Sequence, residues 1–296
     1  DVYPNQYVGY YTGTKPTIDG SLDEVLWSEV PWTESFQDIL GQGLAPEPRF
    51  ETRAKIRWDD EWLYIGAFLQ ESQIWANITR DNEIIFHDND FEAFVDPSGS
   101  THGYKEFEMN ANNASWRLAL NQPYSNGGYE NSTRVLAEHG WDMPSVCAAA
   151  VDGRVNDPSV PAKSWTVEVA LPLRSLMYNN TNTAPEHGSL WRINFSRVEW
   201  KVAVVDGRYE KLAGPEDNWV WSPMRRVDMH MPERWGLLQF SRGAVNGTAV
   251  VRDAEWTVRH VAFAVYYAQE QHLAAKGMYA ESVEELLEYA EVHTLD

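Results

Sequence analysis

The chain contains a single cysteine, Cys147, among its 296 residues. A disulfide bond within the chain is therefore impossible, and the apolar surroundings VCAAAV favour a small buried side chain at this position. The sequence also lacks any run of about 18 apolar residues, the length that a membrane-spanning helix requires. With 43% hydrophobic residues, the chain is expected to rely on an apolar core.

Basic residues are scarce, since 24 Lys and Arg stand against 44 Asp and Glu, which gives a formal net charge of -20. Nucleic acids and anionic membranes are poor partners for such a charge. Cations, neutral sugars and basic proteins remain compatible partners, and solubility alone also accounts for an acidic surface.

Several catalytic motifs are absent from the sequence: H-E-x-x-H, G-x-S-x-G, the P-loop and G-x-G-x-x-G. Glu106 and Glu108 lie two apart in YKEFEMNANN, so their Cα atoms are about 6.6 Å apart on one strand face. Glycoside hydrolysis uses two carboxylates that flank the scissile bond, which neighbours on one strand rarely do. We therefore expect no enzyme, and assign Glu106, Glu108 and Asn110 to a ligand-binding wall or a calcium site.

Aromatic residues are abundant at 13%, with 14 Trp and 14 Tyr. Tryptophan is frequent at sugar-binding faces and equally in β-sheet cores. Trp219 and Trp221 in NWVWSP share one strand face by the period of two, and form either a ligand platform or a core pair. Asn194 and Arg197 in WRINFSRVEW either bind a ligand or brace the sheet.

The stretch HDNDFEAFVDP at residues 87–97 alternates apolar residues with carboxylates, which predicts a half-buried strand. Repelling carboxylates are usually kept apart unless a cation lies between them. The polar face with Glu92 is therefore either solvated, or part of a calcium site or polar ligand pocket. The spacing is not that of an EF-hand. The hard oxygen donors that suit calcium are Asp88, Asp90 and Asp96.

The strand signals recur at roughly ten-residue spacing from residue 51 onward, with turns such as Asp152-Gly153 between them. Many strands and few helices favour an all-β fold, an antiparallel β-sandwich of two sheets. We place an extended N-terminal arm at 1–16, the sandwich at 17–243 and a helical C-terminal extension at 244–296.

The extension has apolar residues at helical spacing, including Val258, Val261 and Val265. Gly277 is a suitable helix stop, and Ser282 with Glu285 matches a capping box that begins a second helix. The sequence thus predicts a C-terminal helical hairpin, which either braces the sandwich or serves assembly.

Sequons of the form N-x-[ST] occur six times. Asn194 lies in a strand pattern and is a chance match. The number of sequons indicates a secreted, extracellular glycoprotein that meets calcium outside the cell. The expected glycosylation sites are Asn77, Asn113, Asn131, Asn179 and Asn246.

Several segments in order resemble the family 9 carbohydrate-binding module, which shares its fold with DOMON-type sandwiches. They are PTIDGSLDEVLW, KIRWDDEWLYIGAFLQES, HDNDFEAFVDP, SWTVEVALPLRSL, WRINFSRVEW and SPMRRVDMHMPERWGLLQFS. The resemblance covers roughly residues 15–241. It implies a non-catalytic β-sandwich that binds sugar chain ends and carries structural calcium.

The resemblance also implies roles for particular residues. Glu92 lines the ligand face or holds calcium. Two tryptophans that sandwich a sugar ring in the family fall on Phe86 and Met229, and a sugar-binding arginine falls near Glu108. Trp219 or Trp221 would have to substitute for the lost pair.

An alternative from another class is a structural subunit of an extracellular glycoprotein fibril or matrix. In that interpretation the chain self-assembles through the arm 1–16 and the C-terminal helices, by strand addition. The missing tryptophan pair and the many sequons favour it.

Overall fold

The structure is a computed structural model, and it describes residues 3–177 and 184–289. The chain divides into two compact units, one spanning Pro4–Val250 and the other formed by the residues from Val251 onward with Tyr3. The larger unit is built of strands. Its strands are β1 Gln6–Tyr11, β2 Gln37–Asp38, β3 Thr52–Trp58, β4 Trp62–Gln70, β5 Asp90–Asp96, β6 Tyr104–Asn110, β7 Ser115–Leu120, β8 Glu130–Asn131, β9 Val146–Asp152, β10 Ser164–Pro172, β11 Leu190–Glu199, β12 Val202–Val205, β13 Arg208–Lys211, β14 Asp217–Val220 and β15 Gly236–Ser241.

Helices of the larger unit are single turns that connect strands. They are α1 Val25–Ser28, α2 Thr133–Leu136 and α3 Leu173–Leu176. A 3-10 turn at Ile85–His87 precedes β5.

Thirteen strands join in one continuous mixed sheet in the order β8-β7-β6-β5-β11-β15-β1-β3-β4-β10-β9, and β14 branches from β11 to pair with β2. The strands β12 and β13 form a separate hairpin. The expectation of a strictly antiparallel fold is wrong, because β1 is parallel to both of its neighbours, β15 and β3. The largely β character is confirmed.

The residues expected to form a free arm contain β1, which lies in the middle of this sheet. Tyr10 of β1 pairs with both Ser241 and Arg57, so the strand is hydrogen-bonded on two sides. Gly9 allows the close approach of β15, since a Cβ atom there would lie 2.8 Å from Leu238 Cδ1. Residues 6–11 are thus part of the fold and are not available for strand addition.

The core lies between the two halves of the curled sheet. Ile56 of β3, Ile65 of β4 and Val167 of β10 belong to the same buried cluster as Phe91 of β5 and Phe195 of β11. Alternation along each strand sends every second side chain into this cluster, and burying each large one is worth about 1.5–3 kcal/mol. The apolar contacts of both halves therefore form one core, as in a sandwich.

The smaller unit contains one long helix, α4 Trp256–Lys276. It ends at Gly277, which has φ 76° and donates its N–H to the carbonyl of Leu273. Ser282 caps the next helix, α5 Val283–Leu286, by accepting from the N–H of Glu285. Among the described residues α5 is a single turn, so the predicted hairpin of two helices is not established. No helix in the described residues is long and apolar enough to cross a membrane.

Candidate functional site

Strands β5, β6 and β7 place a row of polar and aromatic side chains on the sheet face opposite the core. The register pairs Glu92 with Glu108, and Glu108 with Trp116. Since neighbours along a strand point to opposite faces, Phe91 and Phe107 enter the core while the row lies on the other side. The next pairs along the strands continue the row with Phe94, Glu106 and Leu118.

A pocket of about 260 Å³ opens on this row. We call it the outer-face pocket. Its walls include the half-buried Phe86 from the turn before β5 and the partly exposed Tyr124 from the loop after β7. The residues that define it are Phe86, Glu92, Glu106, Glu108, Trp116 and Tyr124.

Carboxylates gather at the base of the outer-face pocket. One oxygen each of Asp90, Glu92 and Glu108 lie within 4.8 Å of one another. Asp90 Oδ1 accepts from the N–H of Val198 at 3.0 Å, and Glu108 Oε2 accepts from the N–H of Phe86 at 3.1 Å. These bonds hold two of the carboxylates in place without neutralising them.

Two buried oxygens in this cluster have no hydrogen-bond partner, Asp90 Oδ2 and Glu106 Oε2. Asp90 is completely buried and Glu106 is 4% exposed. An unpaired buried carboxylate oxygen is costly, so these atoms mark the place where a ligand donor would be favourable.

Burial raises the pKa of every carboxyl group in the cluster. It raises the pKa of Glu92 to about 7. Burial, followed by repulsion from Glu92, raises the pKa of Asp90, Glu106 and Glu108 well above the usual range. At neutral pH the cluster is therefore not fully ionised unless a cation lies among the carboxylates.

His230 lines the outer-face pocket but does not supply that cation. Its Nε2 atom is 4.0 Å from Glu106 Oε2, and its Nδ1 atom is 2.9 Å from the hydroxyl of Tyr104. Burial lowers the pKa of His230 to about 4, so the imidazole is neutral at pH 7.

Of the predicted ligand residues, the structure brings Phe86, Glu92, Glu106 and Glu108 together in this pocket, with Met229 on its wall. Their roles stay predictions, but they share one site although they come from distant segments. Asn110 lies at the end of β6, where its side chain bonds to Ile78 O and Asp88 Oδ2 and does not line the pocket.

Trp219 and Trp221 do not form a platform at the pocket. Both are buried in the core cluster, and Trp221 donates its indole N–H to Glu34 Oε2. Period two places both side chains on one face, but it does not tell which face of β14 meets the core. The structure therefore favours the alternative of a core pair.

Asn194 and Arg197 also have structural partners. Asn194 bonds to the backbone N–H and C=O of Ser222. Arg197 is completely buried and bonds to Glu71, Glu199 and the carbonyl of Gln70. Both side chains brace the sheet and neither lines the outer-face pocket.

The three predicted calcium ligands do not converge on one site. Asp90 and Asp96 begin and end the seven-residue strand β5, about 20 Å apart at the usual rise per residue. Asp88 Oδ2 accepts from the N–H groups of Asn77 and Ile78, and Asp96 accepts from the N–H groups of the turn after β5. Both aspartates act as turn acceptors in the structure, and Asp96 is too far from Asp90 to share a calcium ion with it. The assignment of Asp88 as a calcium ligand stays a prediction.

Sequence reasoning missed several residues that line the outer-face pocket: Phe94, Trp116, Tyr124, Glu216, Asp228 and His230. The alternation in SWRLAL places Trp116 and Leu118 on one face, which is a usable signal for β7. Tyr124 follows β7 and His230 precedes β15, so only the strand order β7-β6-β5-β11-β15 brings their segments close.

The expected glycosylation sites differ in accessibility. Asn77, Asn113 and Asn246 are exposed, Asn131 is half-buried with its Oδ1 accepting from the N–H of Trp141, and Asn194 is buried. Asn179 lies outside the described residues. Glycosylation of these sites stays a prediction.

Comparison with known proteins gives consistent similarities. The model of a family described as carbohydrate family 9 binding domain-like matches residues 18–199. A putative carbohydrate-binding protein from Bacteroides uniformis is 16% identical, with a TM-score of 0.55 over 80% of this chain and all of that chain. A family 9 carbohydrate-binding module from Caldicellulosiruptor kristjanssonii, solved with cellotriose, is 15% identical, with a TM-score of 0.45 over 84% of this chain and all of that chain.

Among curated proteins, exoglucanase XynX of Acetivibrio thermocellus is 28% identical over 164 residues. The aligned segment is 55% of this chain but only 13% of that protein. The similarity therefore concerns one part of a much longer enzyme.

Proposed function

The chain belongs to the carbohydrate family 9 binding domain-like family, and from this membership we propose that its outer-face pocket binds a carbohydrate without transforming it. The observation that carries the proposal is the position of the pocket. The matched residues 18–199 include β5, β6, β7 and β11, the strands that hold Phe86, Glu92, Glu106, Glu108 and Trp116 around it.

The chemistry of the walls supports a sugar ligand. Phe86 and Tyr124 offer aromatic surface to the apolar face of a sugar ring, and the carboxylates offer acceptors to its hydroxyl groups. Trp116 also lines the pocket, but it is 4% exposed and Arg134 lies over its ring. A volume of about 260 Å³ is slightly below the usual range of about 300–1,000 Å³ for small-molecule pockets, which favours a small ligand such as a single sugar unit.

The arrangement of the carboxylates supports binding over hydrolysis. Glu92, Glu106 and Glu108 lie side by side on two neighbouring strands. A glycosidase needs its acid and its base or nucleophile on either side of the scissile bond. A sugar resting on these three residues would meet all of them from the same side.

Secretion and glycosylation belong to the same proposal. Exposed sequons at Asn77, Asn113 and Asn246 support passage through a secretory pathway. The fibril or matrix alternative has less support, because residues 6–11 are already paired on both sides within the sheet.

A glycan array with the purified protein tests the proposal. We expect binding to a defined group of glycans, and loss of that binding in Tyr124→Ala, which removes an aromatic wall of the pocket. Tyr129→Ala is the matched control, since Tyr129 is also exposed, follows in the same loop and does not line the pocket. A blank array with folded protein, or equal binding by both variants, would contradict the proposal.

A further inference from the structure

The outer-face pocket has an unbalanced charge. Five of the described residues that line it are acidic, and none is a lysine or an arginine. His230 is neutral at pH 7, as its lowered pKa shows. The acidic residues are Glu92, Glu106, Glu108, Glu216 and Asp228.

Two cationic side chains close to the pocket, those of Arg134 and Lys211, bind groups outside it. Arg134 forms an ion pair with Glu130 and lies over the ring of Trp116, 5.1 Å from its centroid. Lys211 donates to the carbonyl of His87 and lies over the ring of Trp200. Arg134 and Lys211 act on Glu108 and Glu216 from outside the pocket, but no lysine or arginine among the described residues lines it.

The unpartnered oxygens give the second observation. Glu106 lines the pocket, and its Oε2 atom has no hydrogen-bond partner and lies 4.0 Å from Nε2 of the neutral His230. Asp90 Oδ2 also has no partner, and one oxygen of Asp90 lies within 4.8 Å of oxygens of Glu92 and Glu108. Buried polar atoms are normally satisfied in folded proteins. These atoms therefore point to a donor that arrives with the ligand.

We infer that the outer-face pocket selects a sugar with a free, protonated amino group, an inference that rests on the carbohydrate binding proposed for this pocket. The sugar ring lies against Phe86 and Tyr124, and its ammonium group points to the carboxylates. An ammonium group carries three donors and no acceptor, which matches the carboxylate side of the pocket. The unpartnered indole N–H of Trp116, which also lines the pocket, is available to a hydroxyl oxygen of the sugar.

The distances fit this arrangement. Charge-assisted N–H···O bonds are about 2.7–2.9 Å long, so two oxygens bonded to one tetrahedral ammonium nitrogen are about 4.4–4.7 Å apart. The oxygens of Glu92 and Glu108 lie within 4.8 Å of each other, and one nitrogen between them reaches both. An ammonium group among the carboxylates would also favour their ionised forms, including that of the nearby Asp90.

A bare metal ion fits the pocket less well. Calcium takes six to eight oxygen ligands, whereas Asp90 Oδ1 and Glu108 Oε2 already accept backbone N–H groups. The aromatic walls also have no role around a metal ion. Calcium binding is therefore the competing explanation, and the experiment must distinguish it from the binding of an amino sugar.

Calorimetric titration of the full chain with three related sugars tests the inference at pH 7. D-glucosamine carries the ammonium group, N-acetyl-D-glucosamine has the same skeleton without the charge, and D-glucose has a hydroxyl group instead. We expect the Kd of glucosamine to be at least tenfold lower than those of the other two, and its binding to weaken with added salt.

Two variants test whether the preference for glucosamine depends on the carboxylates of the pocket. Glu106→Gln removes one pocket carboxylate without removing a backbone bond, and we expect it to reduce the preference for glucosamine about tenfold. Glu210→Gln is the control, because Glu210 is an exposed carboxylate on β13 outside the pocket. Circular dichroism confirms that each variant is folded, and the comparison of ligands with the unaltered chain holds even if a variant does not fold.

Three results would overturn the inference. Equal affinity for glucose and glucosamine, lost in Tyr124→Ala, would leave the proposed function intact and refute charge selection. Saturable binding of calcium chloride that Glu106→Gln or Glu108→Gln abolishes, and with which glucosamine does not compete, would assign the cluster to a metal. Binding of no sugar, here or on the array, would refute the proposed function as well.

Discussion

Two regions of this sheet differ in how they hold buried carboxylates, because among the described residues only one of the two contains its own cations. Near the end of β11, Glu71 and Glu199 share the guanidinium of Arg197 at 2.8 and 2.9 Å, and Arg49 adds a second contact to Glu199 at 3.1 Å. In the outer-face pocket, the acidic residues have no such partner among the described residues. The first region is complete as it stands, whereas the second is completed by what binds there.

The pKa values show how strongly burial disfavours the ionised carboxylate in both regions. Burial raises the pKa of Glu199 to about 8, although Arg197 and Arg49 lower it. An ion pair therefore offsets only part of the desolvation of a buried carboxylate. The pocket carboxylates experience the same burial without that compensation, which is the physical basis for a site that favours a cationic ligand.

The largest expected effect comes from removing the cation of the complete region. Arg197→Ala leaves Glu71 and Glu199 buried without their shared partner, and we expect it to lower the free energy of unfolding by about 3–5 kcal/mol. Denaturant titration followed by tryptophan fluorescence measures this change. Lys15→Ala, which breaks the exposed ion pair with Glu61, should leave stability unchanged, and equal effects of the two substitutions would remove the contrast between buried and exposed pairs.

The next largest effect is the pH dependence of the free energy of unfolding that the pocket carboxylates cause. An acid whose pKa is raised on folding stabilises the fold while it is protonated, so this contribution is present at acid pH and is lost as the pH rises. For Glu92 the loss runs from its ordinary pKa near 4.5 to about 7. It amounts to on the order of 3 kcal/mol between pH 5 and pH 8.

Glu168 and Glu199 also have raised pKa values, of about 7 and about 8, and they contribute to the pH dependence of stability as well. The variant Glu92→Gln removes the contribution of Glu92 and leaves these two in place. We expect the variant to lose less stability than the unaltered chain between pH 5 and pH 8, as measured by denaturant titration at each pH without ligand. Parallel pH profiles of the two proteins would show that burial does not raise the pKa of Glu92.

The smallest effect concerns a third kind of buried carboxylate, one satisfied by N–H donors. Asp88 Oδ2 accepts from Asn77 N, Ile78 N and Asn110 Nδ2 at 2.7–2.9 Å. Since asparagine keeps a carbonyl oxygen, we expect Asp88→Asn to cost about 1 kcal/mol. Differential scanning calorimetry with calcium and with chelator should give the same Tm for the unaltered chain, whereas a calcium-dependent Tm that Asp88→Asn abolishes would confirm Asp88 as a metal ligand.

Local sequence patterns predicted part of this fold and part of the candidate site. The alternation in HDNDFEAFVDP predicted β5, and the same rule placed Glu106 and Glu108 on one face of β6. It could not decide which face of β14 meets the core, so the position of Trp219 and Trp221 stayed open. The parallel pairing of β1 with β15 joins residues more than 220 positions apart, and no local pattern encodes it.

The central position of β1 also has a consequence for how the chain acquires its structure. One neighbour of β1 is β15, which is synthesised more than 220 residues later. The two halves of the sheet are therefore joined only when nearly the whole of Pro4–Val250 has been made. Contacts so distant along the chain slow folding. A fragment cut to the family's matched residues 18–199 lacks both strands of this junction, and we expect it to remain incompletely folded.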